Sequence, residues 1–116
     1  MMSSQLKLNL VEGSITFRCS VDAAKELKAA LLDLMNSLKQ VAQGSTTGQR
    51  PEPQASMEYQ HIGDVFLEVF CNPNIWPSPF AAKVLVTVRD DRIRLNSEAE
   101  LSRILEDVNT FLDQES

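Results

Sequence analysis

The chain has 116 residues, enough for one domain with its own core, so stability requires neither disulfides nor a structural metal. Apolar residues make up 43% and charged residues 23%, and the net charge is −5; this is ordinary globular composition, and its acidity disfavours general binding to nucleic acid. No apolar run approaches the ~18 residues of a membrane span, and the opening MMSSQLKLNL lacks the basic and apolar regions of a signal peptide, so a cytoplasmic protein is expected.

Residues 5–19, QLKLNLVEGSITFRC, predict a β-hairpin turning at Glu12-Gly13. In that register Leu10 pairs with Ile15, Leu8 with Phe17 and Leu6 with Cys19 on a core face, while Lys7 and Arg18 share the other. Residues 21–43 predict a helix capped by Ser20 and ended by Gly44. Its apolar stripe is Ala24, Leu27, Leu31, Leu34, Leu38 and Val41. Leu32 and Met35 widen the stripe and are candidates for facing another subunit. Residues 44–58 read as a flexible polar loop without chemistry.

Residues 59–71, YQHIGDVFLEVFC, predict the third strand. Val65, Leu67, Val69 and Cys71 alternate on one face, and Ile62, Phe66 and Phe70 fall on the other, as in a central strand. The connection CNPNIWPSPF, 71–80, holds three prolines and the only tryptophan, Trp76. Its prolines stiffen it, which suits an apolar anchor built from Ile75, Trp76 and Phe80. Two placements are open for Trp76: folded back over Phe66 and Phe70, or standing out to grip a neighbour. Residues 81–95 predict a second hairpin turning at Asp90-Asp91, with Arg89 opposite Arg92, Thr87 opposite Arg94, and a core face of Val86, Val88, Ile93 and Leu95. A capping box, Ser97 with Glu100, predicts the last helix over 98–113.

The fold expected is α+β: a two-layer sandwich in the order β-β-α-β-β-β-α, a single domain over 1–116. A mostly antiparallel five-stranded sheet would carry both helices on one face. The other face would then be bare, with Lys7, Arg18, Lys83, Arg89, Arg92 and Arg94 around Phe66 and Phe70.

Signatures of chemistry are scarce. The chain has one histidine, His61, and two distant cysteines, Cys19 and Cys71, which read as buried thiols. It carries no phosphate-cradling glycine motif and no nucleophile elbow. Asp90-Asp91 reads as a hairpin tip and Glu106-Asp107 as solubilising charge. No cofactor or metal is implied, and a non-enzymatic protein is expected.

The stretch NPNIWPSPFAAKVLVTVRDDRIRL and the helix SEAELSRILEDVNTFL, within Phe66 to Leu112, resemble small uncharacterised proteins of cyanobacteria and plastids. The resemblance implies a cytosolic protein, or a stromal one after loss of a transit peptide, in an accessory role for photosynthetic machinery. The residues themselves point to a protein-binding or assembly module that holds a protein partner or forms a homodimer. Ile75, Trp76 and Phe80 would anchor it, above Phe66 and Phe70, and Arg89, Arg92 and Arg94 would orient it. The alternatives are single-stranded nucleic acid on the basic sheet face and a small molecule between sheet and helices, beside Met35 and Leu38.

Overall fold

The first strands pair where their alternation demands it, but the chain turns one residue early. A computed structural model describes residues 5–46 and 53–115. In it β1 (Gln5–Leu10) runs antiparallel to β2 (Gly13–Arg18), with Leu10 opposite Gly13, Leu8 opposite Ile15 and Leu6 opposite Phe17. The turn is Val11-Glu12, so the register differs from expectation by two residues. A slip of two leaves every side chain on its own face, and Leu6, Leu8 and Phe17 still enter the core. Gly13 supplies the positive φ of 102° that closes this turn.

Ser20 caps the first helix, α1 (Val21–Thr46), its hydroxyl accepting from the Ala23 N–H at 3.1 Å. The helix runs past Gly44, which therefore does not end it. The stripe from Ala24 to Val41 is buried, Met35 packs against the core, and Leu32 is exposed. The polar loop expected over 44–58 is thus helical at its start and a strand at its end, while residues 47–52 lie outside the described residues.

The expected third strand is two strands. β3 (Met57–His61) and β4 (Phe66–Cys71) form an antiparallel hairpin around Gly63 and Asp64, with Tyr59 opposite Val69 and Met57 opposite Cys71. Folding back places Tyr59 on the core face beside Val69 and leaves Ile62 exposed at the turn. After β4 comes one 3-10 turn, Pro73–Ile75, and then β5 (Lys83–Arg89) and β6 (Arg94–Glu100). This hairpin is also two residues off the expected register, with Arg89 opposite Arg94, Val88 opposite Leu95 and Val86 opposite Ser97. Its turn is Asp90–Ile93, held by the Asp90 carboxylate, which accepts from the N–H groups of Arg92 at 2.8 Å and Ile93 at 2.9 Å. Those bonds hold the carboxyl below its ordinary pKa. Ile93, expected in the core, is exposed at this tip.

Ser97 and Glu100 do not cap a helix, because both are strand residues opposite Val86 and Lys83. β6 passes directly into α2 (Leu101–Glu115), and the Leu101 N–H still donates to the Ala82 carbonyl at 3.1 Å. Pairing of Ala99 with Val84 buries Ala99, a gain that freeing the cap would forfeit.

The result is α+β, with two sheets in place of one. β3-β4-β5-β6 is a four-stranded antiparallel meander, and β1-β2 is a separate two-stranded sheet. The Val11 N–H donates to the Glu98 carbonyl at 2.9 Å, tying the small sheet to the edge of β6. Both helices lie over one face of the meander. Leu27, Leu31 and Leu38 of α1 and Ile104 and Val108 of α2 share a core with Leu67, Val69, Val84 and Val86. Each such side chain contributes roughly 1.5–3 kcal/mol by burial. α2 is clipped to β1 by Asp107, which accepts from the Asn9 backbone at 2.7 Å and from its side chain at 2.8 Å.

Candidate protein-binding face

Alternation along β4 and β5 sends every second side chain away from the helices. The register arranges them in rows across the strands: Phe66, Arg89 and Arg94; then Glu68, Thr87 and Asn96; then Phe70, Leu85 and Glu98. β3 extends the second row with Gln60 and the third with Glu58. None of Phe66, Phe70 and Leu85 belongs to the core, and Phe70 is 38% and Leu85 44% exposed. They face each other across β4 and β5, so they form one apolar patch.

Polar contacts hold the middle row in place. Thr87 is only 5% exposed, and its hydroxyl donates to the Asn96 side chain at 2.7 Å. The Gln60 amide donates to Glu68 at 2.6 Å and to Glu58 at 2.9 Å. At one end the Arg89 guanidinium lies 4.3 Å from the centre of the Phe66 ring, a cation–π contact. The face is therefore apolar in part, ordered, and charged at both ends.

The expected basic platform does not form. Lys7 and Arg18 belong to the small sheet, and Arg18 lies 3.8 Å from Asp64. Arg92 sits in the Asp90–Ile93 turn, so of the three orienting arginines only Arg89 and Arg94 share a row with Phe66. Against them and Lys83 the same face carries Glu58, Glu68, Glu98 and Glu100.

The anchor loop divides. Trp76 is half-buried against the core and lies beside the Cys71 thiol. Cys71 points to the helix side of β4, so Trp76 covers the core and neither lids Phe66 and Phe70 nor stands free. Burial raises the Cys71 thiol pKa, and the neighbouring Trp76 acts the other way. Ile75 and Phe80 are exposed, at 67% and 89%. They flank Trp76 at the end of the sheet where β4 leaves and β5 enters, the same end that carries Phe70 and Leu85. The loop is braced from outside: the Asn72 side chain accepts from the Asn74 N–H at 3.0 Å, and Asn74 exchanges two bonds with the Gln54 backbone at 2.8 Å each.

Leu85 is the residue that sequence reasoning missed. Read alone, Val84, Leu85 and Val86 are consecutive apolar residues, and only the pairing with β4 puts Leu85 beside Phe70. A cleft of about 270 Å³ between β2 and the end of the meander was also missed; it is lined by Ile15, Phe17, Val65 and Val88, with Arg18 and Arg89 alongside. Leu38 is fully buried in the core and Met35 packs against it, at the position expected for a small-molecule pocket. Among the described residues no three His, Cys, Asp or Glu side chains group as metal ligands, and no helix is long and apolar enough to cross a membrane. No protein-family model, curated protein or solved structure matches the chain.

Proposed function

We propose that this protein is a non-enzymatic protein-binding module that works through the open face of its four-stranded sheet. The observation that carries the reading is the Phe70–Leu85 pair, two large apolar side chains side by side and exposed, on strands whose other faces are fully covered. Soluble proteins bury such patches or use them, and aromatic and arginine side chains supply most of the energy at protein interfaces. Phe66 under Arg89 extends the patch, and Ile75 and Phe80 border it. An accessory or assembly role agrees with the resemblance to cyanobacterial and plastid proteins.

The reading is tested with Phe70→Ser and Leu85→Ser in native capture from extract. Both variants are expected to keep the far-UV circular dichroism of the wild type and to lose captured protein. Capture that is identical for wild type and variants removes this face from consideration.

A further inference from the structure

Arg89 and Arg94 are direct neighbours across β5 and β6, a like-charge pair that weakens a sheet left to itself. Among the described residues neither arginine forms an ion pair, and neither does Glu58 or Glu98 at the other end of the face. The unpaired cations and unpaired carboxylates lie on either side of the Glu68, Thr87 and Asn96 row. Along β6 this pattern is complementary to itself, with Arg94 on one side of the middle row and Glu98 on the other. Rotation by half a turn, about an axis lying along that middle row and just above the sheet, exchanges the two outer rows.

We propose that the occupant of the open face is a second copy of this chain, related by that two-fold axis. The proposal rests on the open face being the binding surface. Strand β4 then lies over β4 of the second copy, running the opposite way. Phe66 of each copy meets Phe70 of the other, and Arg94 of each meets Glu98 of the other. Arg89 lies over Leu85, where its aliphatic stem can cover the leucine. Every contact occurs twice, as in any isologous interface, so one side-chain change acts twice per dimer. Two twisted sheets packed face to face hold such an arrangement with strands within about 30° of each other. The two Glu68 carboxylates face each other across the axis, each already bonded to its own Gln60, and their mutual repulsion works against the dimer.

Charge reversal reads this out directly in sedimentation velocity of the full chain at rising concentration. The wild type is expected to move from one-chain to two-chain mass. Arg94→Glu alone and Glu98→Arg alone should each weaken the dimer by about tenfold or more, since each places like charges together twice. An equimolar mixture of the two variants should regain the dimer, because each arginine of one then meets a glutamate of the other. Glu68→Gln should tighten it. Both charge variants alter exposed positions, so melting curves that match the wild type at concentrations too low for association confirm that their fold is intact. A wild type that stays at one-chain mass, or a mixture that associates no better than its components, overturns the second copy as occupant. If that happens while Leu85→Ser still abolishes capture of another protein, the face stands and its partner is a different protein. If capture is unchanged as well, both readings fall.

Discussion

Strands β4 and β5 have two faces built from alternating residues, and the faces behave as different materials. On one, Leu67, Val69, Val84, Val86 and Val88 lie under the helices with almost no exposed surface. On the other, one residue away in each case, Phe66, Phe70 and Leu85 meet solvent. The size of the apolar side chains does not separate them, since those of the open face are the larger. What separates them is cover, together with the charged and polar residues that alternate with the open apolar ones. The helices close one face completely and leave the other as apolar area bounded by charges.

Matched leucines give the strongest way to break that contrast. Leu67→Ala empties a fully covered site and is expected to cost about 2–5 kcal/mol of unfolding free energy in urea titration. A smaller loss, about 1.5–3 kcal/mol, is expected for Asp107→Ala, which removes a carboxylate holding the Asn9 backbone and side chain. That variant tests whether the covered side depends on the clip between α2 and β1 as well as on packing. Leu85→Ala, on the uncovered side, should cost under about 1 kcal/mol. Equal losses for Leu67→Ala and Leu85→Ala would mean that the two faces are not different after all.

The covered side also predicts a pH response. Burial, with help from Glu26 and Cys19, pushes the Tyr59 phenol up to about 12, and its hydroxyl donates to the Ala23 carbonyl at 3.0 Å. The folded chain therefore holds a proton that the unfolded chain releases near pH 10. The stability tied to neutral Tyr59 is complete below pH 10 and is lost as pH rises from there toward 12. Urea midpoints measured across that range should fall, and Tyr59→Phe should flatten the decline. A midpoint independent of pH in wild type would place the phenol in water.

Parity was the legible part of this sequence, and pairing was not. Both outer hairpins sit two residues from the register that their turn residues suggested, yet Leu6, Leu8, Val86 and Val88 are buried as expected, because an even slip preserves faces. Ile93 failed for the same reason in reverse: lengthening the turn took it out of the ladder. Gly63-Asp64 was a visible turn signal inside YQHIGDVF, overridden by the apolar alternation that runs through it. Ser97 and Glu100 have the spacing of a capping box, but strand pairing of Ala99 with Val84 decided their conformation. In the candidate site, Phe66 and Phe70 were recognisable from alternation alone. Leu85 beside Phe70, Arg94 beside Arg89, and Trp76 turned toward Cys71 depend on which strands lie next to each other, which no local pattern encodes.

The most direct test compares wild type with Leu85→Lys in sedimentation velocity over a range of concentrations. The wild type is expected to shift toward two-chain mass while Leu85→Lys, melting at the same temperature as dilute, one-chain wild type, stays at one-chain mass. Identical sedimentation of the two proteins at every concentration would contradict it.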